Sequence, residues 1–356
     1  MLDLILNARR TVLDGGELSY DDALALTEIP LIEIPYLAAL ANEVRQKFTG
    51  SVVESCALSN IKSGNCSEDC KFCAQSGHYK TDSPVYPQIT LEEILRQAKD
   101  AEKMGATEFC MVSSGWGATN EKEFQTVLEA VRKISAETKL FVDCSLGFLS
   151  GEQMRQLKEA GLYRNNHNLE ASRAYFDKVC TTHTYQQRMD HVEMVRHYGI
   201  HPCSGGILGM GETPKDRIDL AFDLKKLNAH CVPINILNPR RGTPLHDALA
   251  TNADAVGATG RSPLQPLEII KYIAIYRLIL PAATIKIAGG REVNLRDLQA
   301  MAMQAGANGL ILGNYLTTMG RSPAQDIQML KDLGFDVVGA PLMGAHKADD
   351  NCGCHA

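Results

Sequence analysis

Hydrophobic and polar positions follow two different periods along most of the chain. From about residue 51 to about residue 313, short apolar segments rich in Val and Ile are separated by longer segments whose apolar residues recur every three or four positions. The short segments predict β-strands, and the longer ones predict amphipathic α-helices. The predicted strands lie near 51–60, 107–113, 139–146, 162–168, 200–207, 231–237, 283–289 and 307–313.

This order of elements also predicts the fold. Several helical segments begin at a Ser, Thr or Asn cap and end at Gly before the next strand, which is typical of β/α units in a parallel sheet. Eight such units predict an α/β fold closed into a TIM-type (β/α)8 barrel, and an open, doubly wound sheet is the alternative. We expect an N-terminal helical lead over 1–50, the barrel over 51–320 and a C-terminal extension over 321–356.

Composition and charge narrow the range of partners. The 356 residues include 36 Lys and Arg against 42 Asp and Glu, a formal charge of −6, which is not the basic surface of a protein that binds nucleic acid or an anionic membrane. Charged residues interrupt the apolar stretches, so neither a signal peptide nor a transmembrane helix is predicted. We therefore expect a cytoplasmic protein with a small-molecule substrate. Disulfides are not expected there, so metal ligation becomes the leading explanation for the eleven cysteines.

Three of these cysteines come directly after the first predicted strand. Cys66, Cys70 and Cys73 form a CxxxCxxC sequence, and cysteine thiolates are the ligands that hold iron–sulfur clusters. Three ligands leave one iron of a 4Fe-4S cluster open to a non-protein ligand. The alternative is a structural zinc site, but such sites normally use four protein ligands.

The loop resembles that of the radical S-adenosylmethionine (SAM) superfamily, including an aromatic residue, Phe72, before its last cysteine. Within that superfamily the chain resembles the biotin synthases, through motifs that follow one another over roughly residues 50–315. These motifs are IKSGNCSEDCKFCAQSGHYKT, YRNNHNLE, TYQQRMDHVEMVRHYGI, CSGGILGMGET, VPINIL, GTPL and AGGRE. Several long motifs in order are more specific than one short pattern.

The resemblance implies a reaction and its cofactors. A 4Fe-4S cluster binds SAM and cleaves it to a 5′-deoxyadenosyl radical, which abstracts hydrogen from dethiobiotin, and sulfur is inserted to form biotin. An auxiliary Fe-S cluster, a 2Fe-2S cluster in familiar members, is the sulfur source. The resemblance also implies a homodimer and an electron donor such as flavodoxin or ferredoxin. The alternatives are a related barrel enzyme of the hydrogenase-maturation or methylornithine-synthase type, and a zinc-stabilised binding module.

The resemblance further implies individual roles in binding. Asn166, Asn168 and Glu170 alternate along the fourth predicted strand, so we expect them to point the same way. His167, between them, and the single Trp116 are interpreted as packing residues. The residues implied to contact SAM are Phe72, Ser114, Asn168, Glu170, Arg188 and Ile207. Those implied to contact the substrate are Lys62, Asn166 and Asn235.

The auxiliary cluster is implied to use cysteines of three predicted strands, Cys110, Cys144 and Cys203. Within its strand, each side chain shares a face with the residues two positions away. If the faces that carry Cys110 and Cys144 both line the barrel interior, the thiols meet there. Three further cysteines have no counterpart in the resemblance and are interpreted as packing residues: Cys56, Cys180 and Cys231.

The chain departs from the family pattern at this second cluster. Lys286 stands where the family places an Arg ligand, and an ammonium group must lose its proton before it can ligate a metal. The chain also carries a CxC sequence, Cys352 and Cys354, near its C-terminus. Our hypothesis is that one of these two cysteines folds back over the barrel and that the auxiliary cluster is a larger, four-iron type. The alternative is a tail with incidental thiols.

Overall fold

All strands belong to one parallel sheet that closes on itself. We analysed a computed structural model, which describes residues 1–251 and 262–337. The strand order is β5-β4-β3-β2-β1-β9-β8-β7-β6, and β5 also pairs with β7. The strands are β1 (Glu54–Lys62), β2 (Glu108–Ser113), β3 (Phe141–Ser145), β4 (Arg164–Asn166), β5 (His201–Cys203), β6 (Gly206–Leu208), β7 (Cys231–Ile236), β8 (Thr284–Ile287) and β9 (Gly309–Leu312).

The predicted (β/α)8 barrel is therefore confirmed, with one difference in strand number. The single strand predicted near 200–207 consists of β5 and β6, and both pair with β7, so together they fill one position of the barrel. The strand is interrupted at Ser204 and Gly205, which belong to neither β5 nor β6. A Cβ atom at Gly205 would lie 2.0 Å from the carbonyl oxygen of Pro233, so only glycine allows the two backbones to approach this closely.

Helices surround the sheet, and several begin as the sequence predicts. Ser150, Thr184 and Thr213 each form a capping box at a helix start, which satisfies backbone N–H groups that the first turn leaves free. The helices are α1 (Leu2–Leu13), α2 (Tyr20–Leu26), α3 (Ile34–Thr49), α4 (Leu91–Lys103), α5 (Glu121–Glu137), α6 (Gly151–Ala160), α7 (Tyr185–His197), α8 (Pro214–Lys226), α9 (Pro244–Thr251), α10 (Pro266–Ile279), α11 (Arg291–Leu295), α12 (Gln299–Gln304) and α13 (Pro323–Asp332).

The N-terminal helices pack onto the helices of the barrel. Tyr20 Oη donates a hydrogen bond to Asp219 Oδ1 at 2.6 Å, and Asn42 Nδ2 donates to Gln304 Oε1 at 2.7 Å. In the described residues, no single helix has the length and apolar character to cross a membrane, and one bent pair, Tyr20–Leu26 with Leu31–Thr49, meets the length and composition criteria.

The two faces of the strands have different surroundings. In β2, Phe109 and Met111 belong to the apolar core between sheet and helices. Glu108, on the opposite face, forms ion pairs across the barrel with Arg164 and Lys286. The barrel interior thus contains charged groups as well as apolar side chains. A cavity at the carboxyl ends of the strands lies above this polar interior.

Candidate active site

A cavity of about 410 Å³ opens at the carboxyl ends of the barrel strands. This end of a (β/α)8 barrel is where the loops after the strands build active sites. Residues from the loop after β1 form one wall, and residues from the ends of β2, β4 and β7 form others. The cavity brings together nearly all residues predicted to bind the first cluster, SAM or the substrate.

The thiols of Cys66, Cys70 and Cys73 all line this cavity. Backbone hydrogen bonds fold their loop back on itself, from Cys66 N to the Gln75 carbonyl oxygen at 3.0 Å and from Gly77 N to the Cys66 carbonyl oxygen at 2.7 Å. The three soft ligands therefore lie together in the lining of one cavity. This arrangement fits a 4Fe-4S cluster with one exposed iron.

Burial raises the pKa of Cys73 to about 11, and it also raises the pKa of Cys66. At neutral pH both groups are therefore thiols when no metal is bound. Binding of iron must displace their protons, which is the ordinary coupling between metal affinity and pH.

A neighbouring group of side chains was missed by the sequence reasoning. Cys180 Sγ lies 3.7 Å from Cys70 Sγ, and His183 Nδ1 lies 2.6 Å from Glu68 Oε2. Cys180 is buried in the apolar core, in agreement with its interpretation as a packing residue, and its thiol also contacts Asp69 and His183. His183 is held in turn by Arg188, whose Nε donates to His183 Nε2 at 2.9 Å. The sequence signals near this group were the cysteine loop and the motif that contains Arg188.

Polar residues that follow β4 form the wall opposite the cysteine loop. Asn166, Asn168 and Glu170 all line the cavity, as expected, although the strand itself ends at Asn166. Arg188 Nη1 donates to the Asn168 carbonyl oxygen at 2.6 Å and lies 4.0 Å from Glu170 Oε1. Burial raises the pKa of Glu170, and the charge of Arg188 opposes this. The wall therefore offers a cation and a carboxyl group to an amino acid.

Glu170 has a backbone conformation that few non-glycine residues adopt. Its φ is 68°, and its N–H and carbonyl are held by hydrogen bonds to Gly205 and Ile207. Such strain persists only where the surroundings hold it, and it is found mainly at functional sites.

Apolar groups complete the cavity. Phe72 packs against a small cluster that contains Ile207, and both side chains line the space where SAM binding is predicted. Trp116 also lines it, with Phe148 beside it at a ring-centroid distance of 4.4 Å. Trp116 and His167 are therefore wall residues as well as packing residues. Ser114 lies on the same wall and donates its hydroxyl to the Gly64 carbonyl oxygen at 2.8 Å.

The two remaining predicted substrate contacts differ. Asn235 lines the cavity, and its Oδ1 accepts from Gly289 N at 2.9 Å, which fixes its amide. Lys62 does not line the cavity. Its Nζ lies 2.8 Å from Glu123 Oε2, and the substrate contact of Lys62 stays a prediction. The attraction of the Glu123 carboxylate directs the side chain toward α5.

The predicted auxiliary-cluster residues lie deeper, and one of them lies outside the barrel interior. In the pairing of β2 with β3, Cys110 lies opposite Asp143. Paired positions on neighbouring strands share a face, so Asp143 faces inward with Cys110. Cys144 faces the helices instead and packs in the apolar core, where its Sγ accepts from Asn165 Nδ2 at 3.4 Å. The prediction that Cys144 lines the interior is wrong, because alternation does not tell which face is inward.

Two cysteines interpreted as packing residues are found in the interior instead. Cys231 lies opposite Cys203 in the pairing of β7 with β5. Cys56 lies opposite Glu108 in the pairing of β1 with β2. The interior side chains are buried, yet these cysteines belong to neither of the apolar clusters among the described residues.

Lys286 is held as a cation in this interior. Its Nζ lies 2.5 Å from Glu108 Oε2. Burial alone would lower the pKa of Lys286, but the nearby Cys231 and Glu108 outweigh it and raise the pKa. Burial would raise the pKa of Glu108, but Arg164 and Lys286 hold it well below its usual range. A protonated lysine has no lone pair for a metal. The other two predicted ligands, Cys352 and Cys354, lie outside the described residues.

Comparison with known proteins first defines the class. Residues 60–224 match the Radical SAM superfamily, and residues 233–336 match the Biotin and Thiamin Synthesis associated domain. Among solved structures, methylornithine synthase superposes with a TM-score of 0.77 at 19% identity, covering 92% of this chain and 96% of that chain. The [FeFe]-hydrogenase maturase of Carboxydothermus hydrogenoformans superposes with a TM-score of 0.73 at 17% identity, covering 93% of this chain and 78% of that chain. These two likenesses establish the shared fold.

Curated relatives then define the family. The chain is 43% identical to the biotin synthase of Carboxydothermus hydrogenoformans, over 95% of this chain and 100% of the relative. It is 45% identical to the biotin synthase of Picosynechococcus sp., over 95% of this chain and 90% of the relative. It is 43% identical to the biotin synthase of Pelobacter propionicus, over 95% of this chain and 99% of the relative. The chain belongs to the biotin synthase family.

Proposed function

We propose that this chain inserts sulfur into dethiobiotin to form biotin, by radical SAM chemistry. The observation that carries the proposal is the cavity itself, in which three thiols from one loop face an arginine and a carboxyl group across the mouth of the barrel. Membership of the biotin synthase family supports the choice of substrate. When bound, the 4Fe-4S cluster supplies the electron that cleaves SAM, and an auxiliary cluster supplies sulfur.

The cysteine loop and the opposite wall of the cavity contribute different contacts to the binding of SAM. Cys66, Cys70 and Cys73 would hold the 4Fe-4S cluster with three thiolates, so that one iron would have no protein ligand from this loop. Arg188 supplies a cation for the SAM carboxylate, and its hydrogen bonds to His183 and the Asn168 carbonyl hold its guanidinium in place. Charge-assisted hydrogen bonds of this kind are roughly twice as strong as neutral ones.

The protein also orients the two organic molecules and excludes water. We propose that Asn168 and Glu170 bind the ribose and methionine portions of SAM, that Ser114 contributes to the wall beside its amino group, and that Phe72 and Ile207 flank the adenine. Asn166 and Asn235 bind the ureido ring of dethiobiotin. An apolar, closed surrounding limits reaction of a radical with solvent.

The test is an anaerobic assay of the reconstituted full chain with SAM, dethiobiotin and dithionite. We expect biotin and 5′-deoxyadenosine to form together, because two C–H bonds of the substrate must be opened for each sulfur inserted. Cleavage of SAM without biotin would overturn sulfur insertion and favour a related barrel enzyme of the hydrogenase-maturation or methylornithine-synthase type. A cluster-loaded chain that does not cleave SAM would overturn the radical mechanism altogether.

Family membership supports three further proposals about context. A flavodoxin or ferredoxin delivers the electrons, the chain acts as a homodimer, and it works in the cytoplasm, where its many cysteines remain reduced. Equilibrium sedimentation tests the dimer, and biotin formation with each purified electron carrier in place of dithionite tests the donor.

A further inference from the structure

We propose that the auxiliary cluster is held by a complete set of four thiolates from four strands: Cys56, Cys110, Cys203 and Cys231. Neither Cys144 nor Lys286 is a ligand in this arrangement. The inference rests on the proposed function, which requires the auxiliary cluster, and it concerns only which residues of this chain bind that cluster.

Strand pairing places the four thiols in one enclosed space. Cys203 and Cys231 are direct partners across β5 and β7. Cys203 is also paired with Asn166 of β4, which lines the cavity above. Its side chain therefore points inward, and so does that of Cys231.

The other two thiols reach the same space from β1 and β2. Cys56 is paired with Glu108, and Cys110 follows Glu108 by two positions on the same strand. Glu108 faces the interior because it binds Arg164 and Lys286 there. Cys56 and Cys110 therefore share its inward direction.

The carboxyl group of Asp143 is independent evidence for a ligand site in this space. Its side chain is buried, with 2% of its surface exposed, and its Oδ1 has no hydrogen-bond partner in the part of the chain that the structure describes. Buried polar atoms in native proteins are almost always satisfied. Cys56 Sγ and carboxylate oxygens of Glu108 and Asp143 all lie within 4.8 Å of one another, so the missing partner lies next to a thiol.

Lys286 has a partner in this space other than a metal. Arg164 and Lys286 both bind the buried carboxylate of Glu108, and Arg164 also pairs with Glu54. A buried charge is costly unless it is paired, so the ion pair with Glu108 accounts for Lys286 without a bond to a metal.

A four-cysteine set changes what is expected of the C-terminal CxC sequence. Four cysteines are the full ligand set of either a 2Fe-2S or a 4Fe-4S cluster. The interior then needs no thiol from Cys352 or Cys354. The inference thus replaces the hypothesis that the tail completes the auxiliary site.

The experiment measures the auxiliary cluster in the absence of the first one. The full chain with Cys66, Cys70 and Cys73 all replaced by Ala is reconstituted without oxygen. Iron, acid-labile sulfide and Mössbauer spectra then report on the interior site, and circular dichroism reports on folding. In this background Cys56→Ser and Cys231→Ser are compared with Cys144→Ser, a matched control that makes the same change at another buried strand cysteine.

We expect Cys56→Ser and Cys231→Ser each to reduce bound iron at least two-fold or to change the Mössbauer parameters of one iron. Cys144→Ser, Lys286→Met and the double change Cys352→Ala/Cys354→Ala should leave iron and spectra unchanged. Loss of iron in any of these three, with retention in Cys56→Ser and Cys231→Ser, overturns the proposed ligand set.

A second measurement needs no substitution among the proposed ligands. Labelling all lysines with ¹⁵N and recording pulsed EPR of the reduced cluster tests whether Lys286 binds iron. We expect no strongly coupled nitrogen, and a strong ¹⁵N coupling that disappears in Lys286→Met would contradict the inference.

The outcomes also separate this inference from the proposed function. Biotin formation by the unmodified chain, together with an iron-free triple-alanine background, would overturn the ligand set and leave the function standing. Iron that depends on Cys56 and Cys231 in a chain that makes no biotin would keep the ligand set and overturn the function.

Discussion

The cavity and the interior beneath it both contain groups of cysteines, but the two groups are assembled differently. In the cavity, Cys66, Cys70 and Cys73 come from one short loop whose own backbone hydrogen bonds bring the thiols together. In the interior, the thiols come from separate strands and meet only because the sheet closes in a particular register. A ligand set of the first kind can be recognised from spacing along the chain, whereas one of the second kind depends on strand pairing.

The largest expected effect follows from removing one thiol of the cavity. Cys66→Ala should reduce SAM cleavage by more than about a thousand-fold, equivalent to about 4 kcal/mol, because the first cluster loses one of only three protein ligands. Iron should fall by the content of that cluster alone and leave the interior iron in place. Assays of 5′-deoxyadenosine and iron on the same preparation check both parts. If the interior iron is lost as well, the two sites are not independent and the comparison fails.

The second-largest effect is expected on the free energy of unfolding of the chain. Lys286→Met removes one of the two cations that bind the buried carboxylate of Glu108. Breaking a buried ion pair costs about 3–5 kcal/mol, and we expect the lower end because Arg164 remains. Urea unfolding of the metal-free chain measures this free energy. The control is Lys215→Met, which breaks an exposed pair with Asp219 and should cost at most about 1 kcal/mol.

The same variant has an expected pH dependence. The lowered pKa of Glu108 contributes stability above the pKa of the unfolded state, about 4.3, and this stability is lost as the pH falls through the folded-state pKa. Without Lys286 the folded-state pKa of Glu108 rises, so Lys286→Met should lose less additional stability in acid than the unmodified chain does. Equal slopes of unfolding free energy against pH in the two proteins would contradict this account.

These two regions also show how far the sequence could predict the molecule. The barrel and the cavity residues were predictable because helical and strand periods, and motifs such as the CxxxCxxC loop, are local. Cys144 was assigned to the auxiliary cluster by resemblance, and two-residue alternation could not test this assignment because it groups side chains without telling which group faces inward. The pairing of Cys110 with Asp143 decides this, and that pairing is a property of the closed sheet. The ion pair of Lys62 with Glu123 could not be predicted for a similar reason, since the two residues are distant in sequence.

A smaller effect is expected at the polar wall of the cavity. Arg188→Lys keeps a positive charge but loses the planar guanidinium that binds His183 and the Asn168 carbonyl together. We expect the KM for SAM to rise about ten-fold, which corresponds to the roughly 1.4 kcal/mol of a weakened charge-assisted hydrogen bond. Steady-state kinetics at saturating dethiobiotin measure this. Arg173→Lys, at an exposed position that binds Gln186, serves as the control, and an equal rise in KM there would mean that Arg188 has no special part in binding SAM.

The smallest effect is expected from a cysteine that the sequence placed among the ligands. Cys144→Ala removes a thiol from the apolar core between sheet and helices and deprives Asn165 Nδ2 of its acceptor. The cost should be about 1 kcal/mol of unfolding free energy, with no change in iron content or in the rate of biotin formation. Cys110→Ala, one strand away but on the inward face, should lose auxiliary iron. If Cys144→Ala loses iron and Cys110→Ala does not, β3 faces the opposite way from the arrangement described, and the distinction between core thiols and interior thiols fails with it.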